Sequence, residues 1–393
     1  MSSLVSYVLY GIAALWLLLM AAIAFGRYRY ERRANYLSAL KHRLEQCSPL
    51  NASALNAIVA QLSVTQLDAL IREGLPPALE IAVARAMQEQ RADLVHTAAA
   101  AAKPQERIAA VRVLAAAQAE RTYDLLDSML RSRSAALAAA SVRILAKLDN
   151  RRSADLLITA LRDGPYSCSR IAAAIDMMTA PRADLLGLLF AAPHAEVRFW
   201  AARLAGRLQA AQWASHVREL ATDVDPLVRR AAVEALGIIG DASDRSLLLG
   251  RLNDPVPFVR AHAARACARF ADGDAAEALA GLLADRQWIV RAAAREALQR
   301  MGRVALPAVV QALWHSDAFA ANGAAEVLHK TGKAADAARQ VVADPAAARR
   351  QLPILARFLS VAGPHLRSAF MCQLSLREQH VLTSHVEPLM GAS

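Results

Sequence analysis

The chain has 393 residues and a formal net charge of +11, and 55% of its residues are hydrophobic but only 5% aromatic. Ala and Leu dominate that apolar content; both favour helices, and Ala faces let helices pack closely, so the predicted class is all-α. The four cysteines (Cys47, Cys168, Cys267, Cys372) are scattered, with no CxxC pair and no Cys/His ligand spacing. Neither a disulfide framework nor a zinc site is suggested, and no cofactor or metal is expected.

Residues 1–26 carry no charged side chain, and Leu4 to Phe25 is a run of 22 residues broken by few polar groups. A helix of that length spans roughly 30 Å, the hydrocarbon thickness of a bilayer. Arg27, Arg29, Arg32, Arg33, Lys41 and Arg43 follow it, against only Glu31 and Glu45. The expectation is one transmembrane helix over 1–26 and a basic juxtamembrane stalk over 27–50. The positive-inside rule places the N-terminus outside and the rest of the chain in the cytoplasm, anchored to a bacterial inner membrane. A cleaved signal peptide is the rival reading, but it carries its positive charges before the apolar run, not after it. Arg27, Arg29, Arg32 and Arg33 are also placed to meet anionic headgroups, at about 1 kcal/mol per basic residue.

Tyr36, Leu37, Leu40 and Leu44 have helical spacing and Cys47-Ser48-Pro49 breaks it; a second helix is predicted over about residues 52–72. Residues 51–105 read as an N-terminal helical cap with a degenerate repeat near Leu75. From residue 106 to 370 a unit recurs with starts at Glu106, Leu137, Cys168, Val197, Val228, Val259, Val290, Ala320 and Gln351, at intervals of 29 to 31 residues. Such a period marks a unit that buries its apolar face only by stacking on its neighbours. Val228, Val233 and Leu236 form the buried face of one such helix. Gly206, Gly237, Gly240, Gly302 and Gly332 are read as lying at or near helix ends, and Asp225-Pro226 and Asp254-Pro255 as the break between paired helices. Residues 371–393 read as a C-terminal cap helix and tail.

Val197-Arg198, Val228-Arg229, Val259-Arg260 and Val290-Arg291 head four copies, and Asp223, Asp254 and Asp285 stand six residues before Arg229, Arg260 and Arg291. These residues resemble the HEAT repeat family in its short bacterial form, shared with phycobilin lyases. The resemblance implies an α-solenoid, a superhelix of about nine to ten helical hairpins, and a ladder of ionic contacts from the Asp/Arg pairs. The Asp is missing before Arg198, where Ala192 stands.

The resemblance also implies that second helices line a concave surface. Arg143/Lys147, Arg203/Arg207 and Arg265/Arg269 lie four residues apart on one helix face, and with Arg300 they suggest a basic stripe with Phe199-Trp200 as an apolar anchor. Two readings stand side by side. The stripe is a groove for an acidic protein segment, a polyphosphate-bearing ligand or nucleic acid. Or it is a solvated face, paired locally with Glu234, Glu296 and Glu326, that keeps an Ala-rich solenoid soluble. No HExxH, GxSxG, GxGxxG or Walker-type loop occurs, and no catalytic residue is assigned. The expected function is a non-enzymatic, membrane-tethered scaffold for a protein partner that is itself membrane-associated. Nucleic-acid or small anionic-ligand binding is the alternative, and a lyase-like enzyme the least favoured.

Overall fold

The computed structural model describes residues 2–46, 52–179 and 182–390, without the side chains of residues 2–14, 17, 33 and 387–390. Every regular element among the described residues is helical, and the chain divides into two compact units, residues 1–167 with 177–180, and residues 168–176 with 181–393.

The first unit runs α1 (Ser2–Gln46), α2 (Ala52–Val59), α3 (Val64–Arg72), α4 (Pro77–Gln90), α5 (Ala92–Ala99), α6 (Pro104–Ala116), α7 (Thr122–Leu130), α8 (Ala135–Leu148) and α9 (Arg151–Asp163). No helix boundary separates the expected anchor from the expected stalk, because α1 passes through Gly26 unbroken. Its last turns bury Leu37, Leu40 and Leu44 in the core with Leu67, Leu70, Val83 and Met87, so the expected stalk ends inside this unit. Among the described residues no single helix is long and apolar enough to cross a membrane. The first half of the expected anchor, with Arg33 and Cys47, lies outside the described side chains. The single helix expected over 52–72 is two helices bent by 116°. Ser63 causes the break: it caps α3 in a reciprocal box with Gln66, which ends α2 in a turn.

The second unit begins with α10 (Cys168–Met177) and α11 (Gly187–Phe190) and continues through paired helices. The shorter first helices are α13 (Ala214–Leu220), α15 (Arg245–Arg251), α17 (Gly273–Gly281), α19 (Leu306–Ala312) and α21 (Lys333–Ala343). The second helices are α12 (Ala195–Arg207), α14 (Pro226–Ile239), α16 (Pro257–Cys267), α18 (Trp288–Met301), α20 (Ala318–Lys330) and α22 (Pro345–Val361). Two more, α23 (Pro364–Met371) and α24 (Leu376–Met390), close the chain. The second helices pack on one another in series, α12 on α14, α14 on α16, α16 on α18 and α18 on α20. Val228, Val233 and Leu236 are fully buried in that row, and each such side chain contributes about 1.5–3 kcal/mol by leaving water.

The glycines divide by physical role. Gly302 and Gly332 follow α18 and α20 with positive φ of 59° and 73°, and Gly332 takes the left-handed conformation that suits a helix C-terminus. Gly206 and Gly237, expected at or near helix ends, lie in the last turns of α12 and α14, where their role is close packing. A methyl group at Gly206 would sit 3.0 Å from Ala235 Cα, and one at Gly237 would sit 3.1 Å from Ala266 Cβ.

Candidate functional site

The Asp/Arg pairs join neighbouring repeats, and the direction of pairing differs from the six-residue spacing that marks them. Arg198 Nε and Nη2 donate to Asp223 at 2.7 and 3.0 Å, Arg229 to Asp254 at 2.9 and 3.0 Å, and Arg260 to Asp285 at 2.8 and 2.9 Å. Each Arg therefore reaches 25 residues forward. The residue six positions earlier contributes only its backbone carbonyl, which accepts from Nη1. Arg198 is thus a full member of the ladder although Ala192 precedes it, because a carbonyl is all that position supplies. Each carboxylate also accepts a backbone amide, from Asp225, Val256 or Gln287. The hydrogen bond from Arg198 holds the Asp223 carboxyl below the usual carboxylate range. Burial pushes Asp254 and Asp285 upward, but the bonds from their arginines and backbone amides outweigh it, so both also titrate low.

The predicted basic stripe is not a row of unmatched cations. In the first unit Lys147 pairs with Glu80 at 2.8 Å, while Arg143 is exposed and without an acidic partner among the described residues. In the second unit Arg207 pairs with Asp176, and Arg265 with Glu296 at 2.9 Å. Arg269 donates to the Leu236 carbonyl and Arg300 to that of Arg265. Position seven of the second helix runs Arg203, Glu234, Arg265 and Glu296, and in adjacent units Arg265 meets Glu296 while Glu234 lies 3.8 Å from His262.

A compact patch of aromatic rings and arginines lies on α12 and α14. Phe199 and Trp200 pack edge to face with ring centroids 5.1 Å apart. The Arg203 guanidinium lies 5.8 Å from the Trp200 ring, and that of Arg230 lies 5.5 Å from Phe199. Neither arginine has an acidic partner among the described residues, and Arg230 Nε is buried without an acceptor. Beside them, burial lowers the pKa of His262; Glu234, 3.8 Å away, opposes the shift, while Arg230, Arg265 and Arg203 add to it. The sequence reading missed Arg230. Its signal was the alignment of Phe199 and Arg230 at the same position of successive repeats, which stacks a cation on an aromatic face.

Three other features do not offer catalytic or metal chemistry. Cys267 is fully buried and burial pushes its thiol up to about 12, which removes it as a nucleophile. A cleft of about 690 Å³ opens between α19, α21 and α22, but Lys333 and Arg339 on its wall both bind Asp336. Among the described residues no group of three or more His, Cys, Asp or Glu is placed to hold a metal ion. On the basic flank Arg27 pairs with Glu31 at 2.9 Å and Arg29 lies over Phe25, while Arg32 is exposed.

A family described as HEAT repeats matches residues 183–264 and 248–329. No curated protein matches the chain by sequence. Among solved structures, the karyopherin Kap121p bound to the extreme C-terminus of the protein phosphatase Cdc14p is similar at 13% identity with a TM-score of 0.46. That match covers 91% of this chain and 47% of that one, so this chain spans about half of Kap121p. An engineered protein is similar at 17% identity and a TM-score of 0.41, covering 89% of this chain and 98% of its own. The stretch matched by that family, residues 183–329, is where the ladder and the aromatic patch lie.

Proposed function

We propose that the chain is a non-enzymatic scaffold that docks an acidic segment of a protein partner on the patch of Phe199, Trp200, Arg203 and Arg230. The observation that carries this reading is a concentration of contacts: Arg203 lies over Trp200 and Arg230 over Phe199, the two rings pack on each other, and neither arginine has an acidic partner among the described residues. Aromatic and arginine side chains of this kind dominate protein interfaces energetically.

The same proposal tethers the scaffold to a bacterial inner membrane through α1, with the repeats in the cytoplasm. Leu15, Trp16, Leu18, Leu19, Ile23 and Phe25 are exposed on that helix, and the basic flank follows at once. Arg27, Arg29, Arg32 and Arg33 then face anionic headgroups. Tethering raises the local concentration of the patch beside membrane-associated partners.

The test is cross-linking in native membranes, with purification of the full-length chain and of its Trp200→Ala/Arg203→Glu variant. A single recurrent protein retained by the parent and lost by a folded variant is the expected result. Equal recovery from both overturns the patch, and nucleic acid recovered in place of protein overturns the partner class. Recovery of the chain from the soluble fraction overturns the tether.

A further inference from the structure

The ladder of arginines ends at Arg291 through one change in the repeat. Arg198, Arg229 and Arg260 each rest Nη1 on two backbone carbonyls and aim Nε and Nη2 at a carboxylate. Arg291 is held in the same way, with Nη1 donating to the carbonyls of Asp285 at 2.8 Å and Arg286 at 3.2 Å. In the position where earlier repeats have Asp223, Asp254 and Asp285, this repeat has His315. The identity of position is direct: His315 Nδ1 accepts the Asp317 amide at 2.9 Å, just as those carboxylates accept theirs. A neutral imidazole accepting at Nδ1 carries its proton on Nε2, so it offers a guanidinium no second acceptor. Nε and Nη2 of Arg291 have no acceptor among the described residues. Phe319 stacks on the guanidinium, whose centre lies 4.5 Å from the ring centroid, and stacking leaves the in-plane N–H edge open. Trp288, one helical turn before Arg291, is 69% exposed, and Phe319 is 64% exposed.

We infer that Arg291 is a receptor for a carboxylate supplied by an acidic segment of a partner protein, with apolar neighbours of that carboxylate lying on Trp288 and Phe319. The ligand chemistry is read from the molecule itself, because the same fork in the same pose binds an aspartate in three preceding repeats. A planar, bidentate carboxylate fits that fork, and exposed aromatic rings beside it suit a partly apolar peptide. The site is on α18 and α20 and does not rest on the patch of α12 and α14; either can fail alone.

The experiment uses the full-length chain in detergent micelles with ¹⁵N-labelled arginine, following the Arg291 Nε resonance, assigned with Arg291→Gln. The probes are N-acetyl-Leu-Asp-Leu-amide, its Asn analogue and inorganic phosphate. The aspartyl probe is expected to shift the resonance and to bind about tenfold more tightly than the other two. His315→Asp, which supplies the carboxylate from within the chain, is expected to abolish that response and to raise the unfolding midpoint. No shift with the aspartyl probe, or an undiminished shift in His315→Asp, overturns the inference. Phosphate binding as tightly as the aspartyl probe overturns it too, in favour of a phosphoanion ligand.

Discussion

The guanidinium of Arg229 bridges two levels of the stack: it rests on the carbonyls of Asp223 and Val224 before its own helix and closes bidentately on Asp254 in the next repeat. Asp254 is fully buried at its side chain and Arg229 is 11% exposed, so the pair is desolvated. Breaking such a pair strands a buried charge, whereas replacing both partners with apolar groups is close to neutral. Asp254→Ala is therefore expected to cost about 3–5 kcal/mol, and Arg229→Met/Asp254→Leu far less. Urea unfolding followed by circular dichroism measures both. A loss below about 1 kcal/mol for Asp254→Ala would mean that packing alone holds these repeats in register.

The ladder also sets the response to acid. Asp223, Asp254 and Asp285 are all held below the ordinary carboxylate range, and Asp272, hydrogen-bonded by Arg245, is lowered to about 2. A carboxylate lowered in the folded state binds its proton more weakly there than in the unfolded chain. Its contribution is complete above the unfolded value of about 3.9 and fades as pH falls through the folded one. Stability should stay level from neutral pH down to about pH 5 as far as these groups are concerned, then fall steadily toward pH 2. Asp272→Asn should lower the neutral-pH plateau and make the decline below about pH 4 shallower. Its effect will be small, since Asp272 is 35% exposed and screened by water. Midpoints of urea unfolding at successive pH values read this out; a decline already complete at pH 4 would contradict it.

Much of the fold is legible in the repeat because position recurs with burial. Val228, Val233 and Leu236 sit at register positions that a one-sided helix must bury, and they are buried. The role of glycine is less legible, since sequence alone does not separate a helix end from a tight contact. Gln118, Asp149, Gln209 and Ala271 take the left-handed conformation without being glycine, while Gly206 and Gly237 are helical and packed. The ladder shows the same limit. An Asp six residues before Arg229, Arg260 and Arg291 is visible, but only the stacking reveals that its side chain serves the previous repeat's Arg. Two substitutions separate the roles. Ala271→Gly relieves a φ of 47° and should stabilise by about 1 kcal/mol. Gly237→Val forces a side chain against Ala266 and should cost about 1–3 kcal/mol. Opposite signs in the two unfolding midpoints are the expected outcome; a gain from Gly237→Val would show that the row has room to spread.

The candidate patch was half legible. Phe199, Trp200 and Arg203 stand out in the sequence as an aromatic pair and a cation on one helix, but which cations are matched depends on side-chain geometry in the assembled row, since Arg203 and Arg265 are each followed one repeat later by a glutamate. Arg265 and Arg203 occupy the same repeat position, yet only Arg265 meets a glutamate, Glu296 at 2.9 Å. The two arginines should therefore differ in binding although they share a repeat position. Arg203→Ala should weaken a partner's affinity by about tenfold or more, because it removes both a cation and the cover over Trp200. Arg265→Ala should change affinity little and leave stability within about 0.5 kcal/mol, since it deletes an exposed pair. Affinities of the two variants for the protein recovered by cross-linking, measured side by side at two salt concentrations, decide the matter. Equal losses would assign binding to the whole stripe, and a loss confined to Arg203 would place it on the aromatic patch.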